Sequence, residues 1–144
     1  MGYEDYRDAL TTFPAKNLDE QPAGTFMLYS SGTTGRPKGI LKPLPSSLIS
    51  DENGTLGGLQ TGLWGFDDNT VYLSPALLYH SAPVGFCTGT QAPGGTVIML
   101  PKFNELQALQ AIQDYKVTHS QRVPTMFSRM LKINEAERGD FDLS

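Results

Sequence analysis

Thr96-Val97-Ile98-Met99-Leu100-Pro101-Lys102-Phe103-Asn104-Glu105-Leu106-Gln107 is the stretch that decides the architecture. Its first five residues are apolar after one threonine, rich in β-branched side chains, and stopped by Pro101, which is the pattern of a buried strand. Asn104 followed by Gln107 resembles a capping box, so the chain passes from strand to helix within a few residues. Leu106, Leu109 and Ile112, together with Ala108, Ala111 and Tyr115, then recur at helical spacing.

The same alternation extends outward. Upstream, Gly94-Gly95 stops a helix that the sequence predicts from Pro83 to about Ala92, with Ser81 or Ala82 at its cap. Val71-Tyr72-Leu73 reads as the strand before it. Downstream, Val117-Thr118-His119 reads as the next strand, and Pro124 opens a last helix with an apolar stripe of Met126, Phe127, Met130 and Leu131. Alternating strands and helices predict an α/β domain around a mostly parallel sheet with right-handed crossovers.

The N-terminal half is less regular. Residues 1–25 form a polar lead-in broken by Pro14 and Pro22, in which Tyr3, Tyr6 and Leu10 share one face of a short helix. Phe26-Met27-Leu28-Tyr29 is an apolar run predicted to be a buried strand, and Ile40-Leu41 begins a return strand that Pro43 and Pro45 end. Residues 44–69 carry turn signals, above all Asp51-Glu52-Asn53-Gly54, and flexible glycines at 57, 58 and 62. Trp64 and Phe66 are expected to cover an edge of the core.

Composition sets limits on function. The 144 residues suffice for one ordinary domain with a hydrophobic core. The formal charge of −4, with eleven basic residues scattered rather than clustered, leaves no electrostatic footprint for nucleic acid. Apolar runs are too short to span a bilayer, and the acidic start, MGYEDYRDAL, lacks the pattern of a signal peptide. One cysteine, Cys87, excludes an intrachain disulfide framework and a cysteine metal cluster; it has no basic neighbour in sequence and is expected to be a buried, inert thiol. A reducing, cytoplasmic setting fits. No carboxylate pair or histidine–carboxylate spacing marks a metal site.

The chemistry lies in Tyr29-Ser30-Ser31-Gly32-Thr33-Thr34-Gly35-Arg36-Pro37-Lys38-Gly39. Glycines at 32, 35 and 39 let backbone N–H groups turn toward an anion. Ser30, Ser31, Thr33 and Thr34 add hydroxyls, and Lys38 adds a mobile positive charge. Pro37 restricts Arg36 to an extended conformation. The common G-x-x-x-x-G-K-[ST] loop does not fit: Pro37 stands where its second glycine belongs, and Gly39 where its magnesium-binding hydroxyl belongs.

Residues 30–39 instead match every specified position of [ST]-S-G-[ST]-T-G-x-P-K-G and so resemble the signature of the adenylate-forming superfamily, which includes acyl-CoA synthetases, aryl-CoA ligases, luciferases and peptide-synthetase adenylation domains. Tyr72-Leu73-Ser74-Pro75 through Tyr79-His80-Ser81-Ala82-Pro83 is similar to the family's next core motif. The style of Leu78-Tyr79-His80-Ser81-Ala82-Pro83 looks closest to acyl- or fatty-acyl-CoA synthetases. The resemblance runs from about residue 22 onward. It implies two half-reactions at one site: a carboxylate attacks the α-phosphate of ATP, giving an acyl-adenylate and pyrophosphate, and coenzyme A then takes the acyl group and releases AMP. It implies that Ser31, Gly32, Thr33, Thr34 and Lys38 hold the β- and γ-phosphates, that Ser30 and Gly35 shape the loop, and that Mg²⁺ arrives with ATP. His80 would stand at the carboxylate end of an acyl channel as a gate between the half-reactions. The small residues after it would either leave room for an acyl chain or pack helix on sheet, and His119 would be structural.

Other parts of such enzymes are not found: an aromatic-Gly-x-Thr-Glu motif, a later Thr-Gly-Asp segment, and a small C-terminal domain with a catalytic lysine. The chain therefore reads as a partial AMP-binding domain, residues 1–144, part of the large N-terminal domain of an acyl-CoA synthetase, with no complete second domain and no activity of its own. A fragment of an amino-acid-activating adenylation domain, or a non-catalytic nucleotide-binding remnant, are the competing readings.

Overall fold

The computed structural model describes residues 3–30, 32, 35–51, 56–139 and 141–143. The decisive stretch folds as its sequence predicts. β3 (Val71–Ser74) and β4 (Thr96–Met99) pair in parallel, with Tyr72 opposite Val97 and Leu73 opposite Ile98. On the other side of β3 a parallel bridge joins Tyr72 to His119, and the Leu73 N–H donates to His119 O (2.9 Å). The expected strand at 117–119 thus contracts to one bridge, with β3 central between it and β4.

Two helices cover this small sheet. α3 (Ser81–Gln91) connects β3 to β4, and α4 (Glu105–Tyr115) leads from β4 back across β3 to His119. The two crossings run in opposite directions, so right-handed connections place their helices on opposite faces. The side chains agree, because successive strand residues point to opposite sides. Leu73 packs with Phe103, Ala108 and Ala111 on the α4 face, backed by Ile98 and Ile112. Tyr72 packs with Phe66 and Cys87 on the α3 face, backed by Phe86 and Val97. A parallel sheet buried on both faces needs this pair of apolar layers.

Local signals explain the helix ends. The Asn104 side chain accepts a hydrogen bond from the Gln107 N–H (2.9 Å), and Lys116 closes α4 in the left-handed region at φ 49°. α5 (Pro124–Leu131) has proline in its first turn, as predicted, and lays Met126 and Met130 against the α4 core. Phe127 and Leu131 of the expected stripe stay exposed. Arg129 of α5 forks onto Glu105, with Nη2 to Oε2 at 3.1 Å, and this guanidinium holds the Glu105 carboxyl below the usual carboxylate range. A short α6 (Glu135–Gly139) follows.

Four sequence expectations are corrected. α3 begins at Ser81, with His80 at its cap, two residues before Pro83. On α4, Ala108, Leu109 and Ala111 are buried, whereas Leu106 and Tyr115 are exposed, since the helix turns those two away from the sheet. The run at 26–29 is not a buried strand. Only Leu28–Tyr29 (β1) is extended, it pairs antiparallel with Gly39–Ile40 (β2), and all four residues from Phe26 to Tyr29 are exposed. This hairpin forms a sheet separate from the parallel one, and among the described residues no layer packs tightly enough on it to bury its apolar side chains. Finally, α2 (Leu56–Trp64) occupies part of the stretch that sequence left unassigned. Residues 52–54 of the predicted turn lie outside the described residues. The lead-in helix exists as α1 (Tyr6–Thr12), capped by the Asp5 side chain, with none of its residues buried; of the expected face it holds Tyr6 and Leu10, and Tyr3 lies before it.

Candidate active site

The loop that the sequence singled out joins β1 to β2. Its base is closed by its own ends: the Ser30 N–H donates to Lys38 O (2.9 Å), and the Lys38 N–H donates to Ser30 Oγ (3.1 Å). A tight inner turn follows, in which the Gly35 N–H donates to Gly32 O (3.0 Å). Gly32 sits at φ 64°, and a Cβ there would lie 2.5 Å from Gly35 O and 2.7 Å from Pro37 N, so only glycine fits. Gly35 and Lys38 are exposed and Gly32 is half-buried. Among the described residues the N–H groups of Gly32 and Arg36 donate to no other backbone group, and Lys38 has no acidic partner. Ser31, Thr33 and Thr34 lie outside the described residues. Gly32→Ala should destabilise this turn by roughly 1–3 kcal/mol, the cost of forcing a side chain into the left-handed region; faster hydrogen exchange at the Gly35 N–H would register it.

His80 lies on the loop leaving the carboxyl end of β3, where ligands of open parallel sheets collect. It caps α3 through its backbone: its imidazole makes no cap bond and lies exposed beside the Tyr79 ring (centroids 4.3 Å). The first turn of α3 begins at the next residue, and its free N–H groups favour an anion.

The hairpin and α3 face each other across a cleft of about 300 Å³. One wall is Thr25, Phe26, Leu28 and Lys42 from the hairpin arms; the other is Ser81, Ala82, Val84, Gly85 and Phe86; α2 adds Leu59, Gln60 and Trp64. The cleft is chiefly apolar, and among its described lining residues there is no carboxylate. Trp64 and Phe86, with ring centroids 5.3 Å apart, also line a second cavity of about 220 Å³ with Phe66, Tyr72 and His119. Burial pushes the Tyr72 hydroxyl up to about 12, so it stays protonated at neutral pH.

Gly85, Cys87, Gly89 and Thr90 of α3 are buried, whereas Val84 and Phe86 are half-buried and line the cleft beside Gly85, so this helix serves both packing and pocket. His119 is tied to Thr118 Oγ1 (2.8 Å), Trp64 O (3.1 Å) and the Phe66 ring (4.6 Å between centroids). Sequence reasoning missed Leu59, Gln60 and Lys42. Only a helix assigned to 56–64 would have exposed the first two, and the glycines there hide it. Among the described residues no His, Cys, Asp or Glu cluster suits a metal ion, and no helix is long and apolar enough to cross a membrane.

Comparison with known proteins places this geometry. The family described as AMP-binding enzyme matches residues 5–144. A medium/long-chain-fatty-acid–CoA ligase of Mycobacterium tuberculosis is 31% identical over 114 residues, 79% of this chain and 19% of that protein. The inhibitor-bound N-terminal domain of FACL13 from Mycobacterium tuberculosis superposes with a TM-score of 0.72 at 21% identity, over 95% of this chain and 33% of that one. ATP-bound MatB from Rhodopseudomonas palustris superposes with a TM-score of 0.58 at 26% identity, over 78% of this chain and 22% of that one. The chain spans about a fifth of the length of the first curated relative.

Proposed function

The chain belongs to the AMP-binding enzyme family, and we propose on that footing that it forms the phosphate loop and acyl cleft of an ATP-dependent acid–thiol ligase acting on fatty acids. The carboxylate oxygen attacks the α-phosphorus of ATP, the bond to pyrophosphate breaks, and an acyl-adenylate forms. The coenzyme A thiolate then attacks the acyl carbonyl and AMP leaves with the bonding electron pair. Bringing one anion against a polyanion makes charge neutralisation and positioning the main task.

One observation carries the reading: Leu28 of the strand that enters the loop and the helix that His80 opens line the same apolar cleft. An acid seated there places its hydrocarbon against Phe26, Leu28 and Val84 and its carboxylate toward the first turn of α3. Ser31, Gly32, Thr33, Thr34 and Lys38 hold the β- and γ-phosphates, while Ser30 and Gly35 keep the loop in shape. The inward bonds of Ser30 and Gly35 fit that role, and the Gly32 and Arg36 amides, which donate to no backbone group among the described residues, fit an anion. Mg²⁺ accompanies ATP and offsets phosphate charge. His80, exposed against the Tyr79 ring one residue before the cleft-lining Ser81, gates the carboxylate end between the two half-reactions.

Fatty-acid specificity is supported by the apolar lining and by likeness to a fatty-acid ligase. An amino-acid substrate would want a carboxylate for its ammonium, and Lys42 stands in the cleft wall instead. A cytoplasmic setting accords with the buried, free Cys87. The test is fatty-acid-dependent ATP–pyrophosphate exchange by the full-length protein, and its absence across chain lengths would refute the assignment. His80→Ala should slow thioester formation by roughly tenfold or more; rates unchanged from the parent in both half-reactions would remove His80 from the site.

A further inference from the structure

Among its described lining residues the cleft has one ionisable side chain, Lys42. Its place follows from the hairpin. Leu28 pairs with Ile40, and the same register carried two residues further puts Lys42 across from Phe26. The two arms meet again at Pro22 and Leu48. Residues opposite one another, and those two positions along, share a face of a hairpin. Phe26, Leu28 and Lys42 accordingly all line the cleft. Pro43 keeps Lys42 extended and so keeps its side chain on that face. Lys42 is exposed and has no acidic partner among the described residues. It stands four residues beyond Lys38 along the arm, about 13 Å of extended chain. The cation therefore marks the end of the cleft remote from the phosphate loop.

We infer that Lys42 is a specificity-determining residue that selects acids bearing a second carboxylate at the far end of the acyl group, an inference that rests on the cleft being the acyl site. The cleft then has two positive poles joined by apolar walls. The first-turn N–H groups of α3, where Ser81 and Ala82 line the cleft, favour the carboxylate that is to be activated. Lys42 is the other pole, and the lining supplies it with no counter-charge. A plain hydrocarbon end brought against it strips water from the ammonium and returns nothing. A terminal carboxylate replaces that water with an ion pair, beside walls that lower the local dielectric. A terminal ammonium is repelled, and the phosphates of ATP belong to the loop at the other end. The flexible stem of lysine lets its charge follow the carboxylate, so selection acts on charge more than on exact length.

The experiment uses the full-length protein and follows ATP–pyrophosphate exchange without coenzyme A, so that no phosphate of coenzyme A can occupy Lys42. The acids are a graded series of α,ω-dicarboxylic acids, the monomethyl ester of each, and the monocarboxylic acids of equal length. At least one diacid should exceed both its own monoester and its monocarboxylic counterpart in kcat/KM by about tenfold or more. Lys42→Met keeps the apolar stem and removes the charge, and should bring the ratio of diacid to monoester to about one. Lys42→Glu should take that ratio below one. A lysine that merely covers apolar surface with its stem would leave the ratio unmoved in the methionine variant. No preferred diacid, or a preference that survives Lys42→Met, overturns the inference and leaves the ligase assignment standing. No exchange with any acid overturns both.

Discussion

Lys38→Ala is expected to lower carboxylate-dependent ATP–pyrophosphate exchange by roughly a hundredfold or more while leaving the unfolding midpoint in place. The backbone of Lys38 is pinned at both its N–H and its carbonyl to Ser30, so the stem of the side chain starts from a fixed point at the neck of the loop. The side chain itself is exposed and has no acidic partner among the described residues, so removing it disturbs no packing and orphans no charge. Its worth lies in the ligand. A positive charge within a few ångströms of a phosphate oxygen, with water partly excluded, is worth several times its value in bulk solvent. Much of that is realised only as charge redistributes during transfer. Lys38→Arg keeps the charge in a wider, planar group and should recover part of the rate. An unchanged rate for Lys38→Ala would mean that the loop binds something other than a phosphate.

Leu73→Ala is the change expected to cost most in stability. Leu73 is fully buried, in the central strand, and belongs to the core cluster on the α4 side with Phe103, Ala108 and Ala111, against which Ile98 and Met130 pack. The cavity left behind is walled by a hydrogen-bonded strand and a capped helix, neither free to collapse. Losses for such truncations run from roughly 2 to 5 kcal/mol, and a rigid site belongs in the upper part of that range. Urea unfolding should show a lower midpoint at an unchanged slope. Leu131→Ala, at an exposed position predicted from sequence to be core, should stay within roughly 0.5 kcal/mol of the parent. The pair thereby tests the observed burial against the pattern-based one.

What could be read from sequence follows from where the determinants lie. The unit from β3 to α5 was legible because each signal is local and they agree: β-branched runs, Gly94-Gly95, the Asn104 cap and Pro124. The short extent of the strand at His119 was not, since its length is set by what pairs with it rather than by its own residues. The hairpin misled because an apolar run says that a segment prefers burial, not that a layer exists to bury it. α2 was hidden by three glycines within nine residues, a composition that disfavours helix until packing on α3 overrides it. The candidate site divides along the same line. The loop and His80 were legible because contiguous residues make them. The cleft was not, because its walls come from three elements distant in sequence, one of them the helix that sequence missed.

Trp64 is the only tryptophan of the chain, and its indole stands in the wall shared by the cleft and the cavity behind it. Its emission is therefore a built-in optical reporter: anything that enters either space displaces water from that ring, and the resulting spectral shift gives an occupancy reading with no label attached.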